Sequence, residues 1–198
     1  MTGRPKRLPR AIREQQMLDA AIDVFAEHGY HAASMNAIAA RAEISKPMLY
    51  LYYGSKDELF ASCIRRESTR FLDALTGAAD PSLSPREQLT HGIRAFLGFV
   101  HENRQSWHVM YRQAMYQKSF ADLVTGSRER AIELTALILR SSSREPHSNE
   151  QFRLMASALI GAGEAVADRI ADGSIDKEAA VDLLVNLGWR GLAGKKPQ

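Results

Sequence analysis

The 198-residue chain contains one cysteine, no apolar run approaching the length of a membrane span, and no period-2 alternation rich in β-branched residues. A lone Cys63 cannot close an intrachain disulfide and removes any cysteine-based zinc site. Set within an amphipathic helical pattern, it reads as a buried, inert thiol. A helix needs about 20 consecutive apolar residues to cross a bilayer, so no membrane partner is expected. No apolar stretch follows the basic N-terminus as in a secretory signal, which leaves the cytoplasm as the expected compartment. Catalytic signatures are missing too. There is no Gly-rich phosphate loop, no nucleophile elbow with a Ser-His-Asp order, and no HExxH. The six histidines fall at spacings that bring no ligand set together and read as surface residues. Enzyme, metal and cofactor are therefore not expected. Glu164, alone in an apolar helical stretch, reads as a polar pocket contact or a solvated residue rather than a catalytic base.

Hydrophobic residues make up 45% of the chain and charged residues 25%, the balance of an ordinary globular protein. The length leaves room for a small helical head and a second region with its own core. A net charge of +3 is modest, but its distribution is uneven. Arg4, Lys6, Arg7, Arg10 and Arg13 all precede the first acidic residue, Glu14, and Pro5 and Pro9 keep this arm extended. Alone, such an arm is a solvated tail; beside a DNA-binding element it reaches along phosphates or into the minor groove.

Helical periodicity accounts for nearly the whole chain, giving an all-α fold of about nine helices. Met17, Leu18, Ala21, Ile22, Val24 and Phe25 mark a first helix over 10–28, ended by Gly29. Short helices follow at 35–42 and 46–53, then a long one over 56–76 with Leu59, Phe60, Cys63, Ile64, Phe71 and Leu75 inward. The Gly, Asp, Ser and Pro of 77–85 form the clearest linker. Further helices are expected over 85–101, 119–141, 149–171 and 175–192. The stretch 103–117 reads as a short helix with a kink.

The segment from Ser34 to Phe60 carries the most information. Ser34, Ser45 and Ser55 each stand where a helix should start, as N-caps. Pro47 is tolerated in the first turn, and Ser55 with Glu58 has capping-box spacing. Two short helices joined by a tight turn, with a third directly behind, form a helix-turn-helix whose second helix enters the DNA major groove. The segments Ala20-Ala-Ile-Asp-Val-Phe-Ala-Glu-His-Gly-Tyr30, Ile38-Ala-Ala-Arg-Ala-Glu-Ile-Ser45 and Leu49-Tyr-Leu-Tyr-Tyr-Gly-Ser-Lys-Asp-Glu-Leu-Phe60 together closely resemble the TetR family of bacterial transcriptional regulators. The resemblance covers about the first third of the chain. Beyond it, Gly161-Ala-Gly-Glu-Ala-Val-Ala167 and Leu187-Gly-Trp-Arg-Gly-Leu192 match only weakly.

Leu49 and Tyr53, four apart, form the natural core pair of the recognition helix, which leaves the hydroxyls of Tyr50 and Tyr52 for phosphate oxygens. Lys46 and Lys56 sit near helix N-termini, where the dipole gives a cation no benefit, so phosphate contact is expected. Carried over position by position, the resemblance implies DNA contacts at Ser45, Lys46, Pro47, Met48, Tyr50, Leu51, Tyr52 and Lys56, with Ser34 at a phosphate-binding helix start. Leu51 departs from the polar or aromatic residue of many members. It cannot hydrogen-bond a base but can pack on a thymine methyl. Lys46 is then the best candidate for a guanine contact, and DNA shape supplies part of the specificity.

The middle third gathers Phe71, Phe96, Phe99, Trp107, Met110, Tyr111 and Met115, which read either as plain bundle core or as the lining of an apolar ligand cavity. The resemblance implies the second, with a small, mostly apolar effector. Apolar stripes on the last two helices (Met155, Ala158, Leu159, Ala162, Val166 and Ile170; Val181, Leu184, Val185, Leu187 and Trp189) suggest a four-helix homodimer interface over 149–171 and 175–192. The division expected is 1–53 for DNA binding and 54–198 for effector binding and dimerisation. The leading function is a homodimeric repressor released from a palindromic operator by a ligand. The alternative is a constitutive DNA-binding protein without a pocket.

Overall fold

Gly29 and a series of capped helix starts set the order of the elements. The computed structural model describes residues 9–143 and 146–192; Arg4, Pro5, Lys6 and Arg7 of the basic arm lie outside them. Among the described residues the chain forms nine α-helices and no strand. These are α1 (Arg10–Ala32), α2 (Met35–Arg41), α3 (Lys46–Tyr53), α4 (Lys56–Gly77), α5 (Pro85–Glu102), α6 (Arg104–Trp107), α7 (Lys118–Ser142), α8 (Asn149–Ala171) and α9 (Lys177–Leu192). Gly29 breaks α1 with φ 75°, a conformation that L side chains rarely adopt.

The caps hold in part. Ser34 Oγ accepts from the Ala37 N–H at 3.1 Å, and Ser55 Oγ accepts from the Glu58 N–H at 3.1 Å. The reciprocal half of the expected capping box is not made, because the Glu58 carboxylate turns instead to the Arg65 guanidinium. Ser45 occupies the N-cap of α3, but its hydroxyl makes no capping bond. Pro47 removes one of the two N–H groups it would serve, and the Met48 N–H is taken by the Ser45 carbonyl at 3.0 Å. In the turn between α2 and α3, Glu43 takes φ 54° and the Ile44 N–H reaches back to the Ala39 carbonyl at 3.0 Å, which closes α2.

α1, α2 and α3 pack with the first half of α4 as a head, and α5 to α9 pack with its second half as a body. One apolar core runs through both, from Met17 and Phe25 to Val181 and Val185. Phe25, Tyr30, Phe60 and Phe120 interlock at ring separations of 4.7–6.1 Å, joining α1, α4 and α7. A second cluster of Leu89, Ile132, Leu139, Phe152 and Ala156 fills the far end of the body. The expected irregularity after Asn103 takes a definite form. Asn103 leaves helical geometry between α5 and α6, and His108–Ala114 then winds as a π-helix, ending in a Met115 N–H to Met110 carbonyl bond of 3.2 Å. Such π-segments are frequent at functional sites.

Candidate DNA interface and effector cavity

Turning 100° per residue, the α3 sequence puts Lys46, Pro47, Tyr50, Leu51 and Gly54 on one side and Met48, Leu49, Tyr52 and Tyr53 on the other. Exposure follows that division. Leu49 is fully buried, while Met48, Tyr52 and Tyr53 are half-buried against the head core. Lys46, Pro47, Tyr50 and Leu51 face outward, with Leu51 82% exposed. Tyr50 and Tyr52, two residues apart, therefore lie on different sides, with Tyr50 outward and Tyr52 against the core. The Tyr50 ring lies under the Lys46 ammonium at 5.9 Å, and the Tyr52 ring lies under the Arg10 guanidinium at 5.4 Å. Arg10 also pairs with Glu14 at 2.8 Å, which fixes the root of the basic arm beside α3.

Lys56 does not stand as the free cation expected from its position. Its ammonium donates to the carbonyls of Tyr30, His31 and Ala33 at 2.8, 3.2 and 3.1 Å and lies 4.6 Å from the Tyr30 ring centroid. Three donors meet three acceptors, so this lysine ties α4 to the end of α1. Beside it the Tyr30 hydroxyl donates to Asp57 Oδ1 at 2.6 Å. Burial and that carboxylate together push the Tyr30 phenol up to about 12. Ser34 is exposed at the start of α2, where its oxygen already serves as a cap.

In the body, the aromatic and methionine residues of the middle third pack against one another. Phe71, Phe96, Phe99, Trp107, Met110 and Tyr111 are all buried, and Met115 is half-buried. Phe71 meets Phe96 and Phe99 edge-on at 5.6 and 5.4 Å, Phe96 meets Trp107 at 5.6 Å, and Trp107 stacks on Tyr111 at 3.8 Å. Interlocked rings leave no space among themselves. Of the seven, Phe99 borders an open groove beside His91 and Lys177, and Phe96 borders an apolar cavity. That cavity, about 60 Å³, lies among α4, α5, α7, α8 and α9, with Leu75, Gly92, Ile93, Leu134, Ile160 and Gly163 in its walls. Gln88 and Thr135 are its polar members. Its space arises where glycines face rings and aliphatics. A Cβ at Gly163 would lie 2.6 Å from Phe96 Cε1. Gly92 and Gly163 are the residues in the sequence that signal this space.

Polar links run from this region to the head. Glu67, fully buried on α4, accepts from Arg66 at 2.7 Å and Arg70 at 2.8 Å. Arg66 also holds Asp19 of α1 at 2.7 Å, and Arg70 donates to the Asn103 side chain at 2.7 Å, at the α5–α6 break. Gln113, in the π-segment, donates to the Phe25 carbonyl of α1 at 2.7 Å. Glu164 is half-buried and ion-paired, with Arg128 of α7 donating to both its oxygens at 2.8 and 3.2 Å.

Residues 17–63 match the model of the bacterial regulatory proteins of the tetR family, and residues 85–191 match a tetracyclin repressor-like C-terminal domain. The chain belongs to the TetR family. It is 32% identical over 194 residues to the transcriptional activator FasR of Mycolicibacterium smegmatis, covering 96% of this chain and 87% of that one. A TetR-like transcriptional regulator from Rhodococcus sp. RHA1 superposes with a TM-score of 0.82 at 63% identity, over 96% of this chain and all of the other. The regulator FadR from Bacillus subtilis, solved in complex with stearoyl-CoA, shares the fold, with a TM-score of 0.77 at 18% identity over 92% of this chain and 99% of that one. TetR-family proteins are DNA-binding transcriptional regulators and not enzymes.

The apolar stripes on α8 and α9 divide in two. Ile170, Val181, Leu184 and Val185 point into the protomer's own core, a correction to the expectation that whole stripes lie free. Leu154, Leu183 and Leu187 are 65%, 64% and 61% exposed. Leu187 lines a groove with Met155, Ala158 and Ala162, and Leu154 and Leu183, which lie off the two stripes, add exposed apolar surface to the same helices.

Proposed function

We propose that this TetR-family chain is a homodimeric transcriptional repressor in the cytoplasm that holds a palindromic operator and leaves it when a small apolar molecule enters the body. Residues 1–53 read DNA; residues 54–198 bind the effector and pair two copies through the outward faces of α8 and α9. The course of α4, from the head to the cavity wall, supports this reading. Its Leu75 walls the cavity, while Lys56 at its other end holds α1. A molecule larger than the resting cavity must push its walls apart, and α4 carries that displacement into the head. With two heads fixed by one dimer, a change in head angle changes the distance between recognition helices and the fit to both half-sites.

A structure of the same fold holds stearoyl-CoA, and the cavity walls here are mostly aliphatic, so acyl chains are the first effectors to try. A second reading, activation, is favoured by the name of the full-length relative FasR.

The test uses full-length protein and a labelled duplex recovered by selection from a random pool, titrated with fatty acids and acyl-CoA thioesters of increasing chain length. Release of the duplex is expected, with Trp107 emission changing because its ring abuts Phe96 at the cavity wall. Linkage requires the duplex to weaken effector binding by the same factor. Tight duplex binding that no compound disturbs would favour the constitutive alternative. A promoter fusion that falls on expression of the protein supports repression; one that rises supports activation.

A further inference from the structure

We infer that α3 reads its operator mainly through pyrimidine 5-methyl groups, with Leu51, supported by Pro47, as the contacting pair. This rests on the proposal that α3 enters the major groove.

The outward face of α3 is short of hydrogen-bonding groups. Its five positions are Lys46, Pro47, Tyr50, Leu51 and Gly54. None is an Arg, Asn or Gln, the side chains that take two hydrogen bonds from one base edge. Lys46 is a flexible point charge lying over the Tyr50 ring at 5.9 Å, and Tyr50 offers one hydroxyl. What remains is apolar. Pro47 and Leu51 stand four apart and so lie one turn above the other on the same face, with Leu51 82% exposed.

The helix cannot roll to hide Leu51. Leu49, on the opposite side, is fully buried, and Met48, Tyr52 and Tyr53 pack on the same core. Any rotation that covered Leu51 would bring Leu49 into water. In the major groove only one feature of the base pairs is apolar, the methyl on C5 of thymine. A leucine held outward on a helix that presents few donors therefore selects for that methyl. A 5-methylcytosine carries the same group at the same ring position, and the side chain would meet it equally.

The experiment uses the full-length protein and the duplex enriched from a random pool. Each thymidine is replaced in turn by deoxyuridine, which removes the methyl and leaves every hydrogen-bonding group in place. At one or two thymidines per half-site the replacement should weaken binding about fourfold, and about fifteenfold when made in both half-sites, as expected for one buried methyl each. Leu51→Ala should bind the thymidine and deoxyuridine duplexes equally, with its fold checked by circular dichroism. Placing 5-methylcytosine where a G·C substitution has replaced the sensitive A·T pair should recover part of the loss for the unaltered protein and none for Leu51→Ala. Indifference to deoxyuridine at every position overturns the inference while leaving DNA binding intact. So does a sensitivity that persists unchanged in Leu51→Ala. A pool from which no duplex enriches overturns the DNA-binding reading and this inference with it.

Discussion

Lys46 and Lys56 look alike in sequence, each a cation at the first position of a helix, yet of the two only Lys46 faces outward without carbonyl partners around it. Lys56 is drawn in by the carbonyls that the break at Gly29 leaves near the end of α1, a long-range fact that local spacing cannot carry. Lys56→Ala should destabilise the fold by about 1.5–3 kcal/mol, the range for hydrogen bonds to a charged group, measured by denaturant unfolding. Lys46→Ala should leave the unfolding midpoint unchanged and relax preference at one base position. Equal stability of the two variants would contradict the assignment. Tyr30 gives a pH test at the same junction. Its phenol is pushed from 10.0 to about 12, so the folded state favours the neutral form. That contribution is complete below pH 10 and is lost as pH rises through about 12, the direction set by linkage. Tyr53, raised to about 12 mainly by burial, adds to the same window. Unfolding midpoints should fall between pH 10 and 12, and Tyr30→Phe should make that fall shallower; an identical fall would contradict the role of Tyr30.

Helix boundaries were readable to within a few residues because periodic apolar positions and stop signals are local. The outward and inward sides of α3 were only half readable. Periodicity alone kept Tyr50 and Tyr52 off a common face but could not say which of them meets the core. The cavity was less readable, for a different reason. The aromatic cluster reads from sequence equally as core or as lining, and rings that interlock edge to face fill space, whereas glycines opposite aliphatics leave it. Gly163 is the element-scale test. An added Cβ would press on Phe96 at 2.6 Å, and the ring has the cavity beside it to move into. Gly163→Ala should cost about 1–3 kcal/mol of stability, typical of overpacking. It should also abolish effector response while operator binding persists. A variant that responds to the same compounds with unchanged affinity would place the effector elsewhere.

At the scale of the whole molecule, the all-α order of head, long connecting helix and body follows from the sequence, whereas pairing of two copies depends on which apolar residues the protomer leaves uncovered. Four of the eleven stripe residues on α8 and α9 (Ile170, Val181, Leu184 and Val185) are internal, because a helix of that amphipathicity buries one side whether its partner is the same chain or another. The outward leucines remain. Leu183→Asp combined with Leu187→Asp should give a folded monomer by sedimentation, with operator affinity reduced by orders of magnitude because each head then binds alone. A dimer that survives both substitutions would move the interface away from α9.

In the proposed function, two copies of this chain read one two-fold site. The most direct measurement is selection of duplexes from a random pool by the full-length protein, followed by sedimentation of the complex with the enriched duplex. The expected result is an inverted repeat bound by chains in pairs, with affinity falling steeply as salt rises. An enriched sequence without a dyad, or a complex of one chain per duplex, would contradict it.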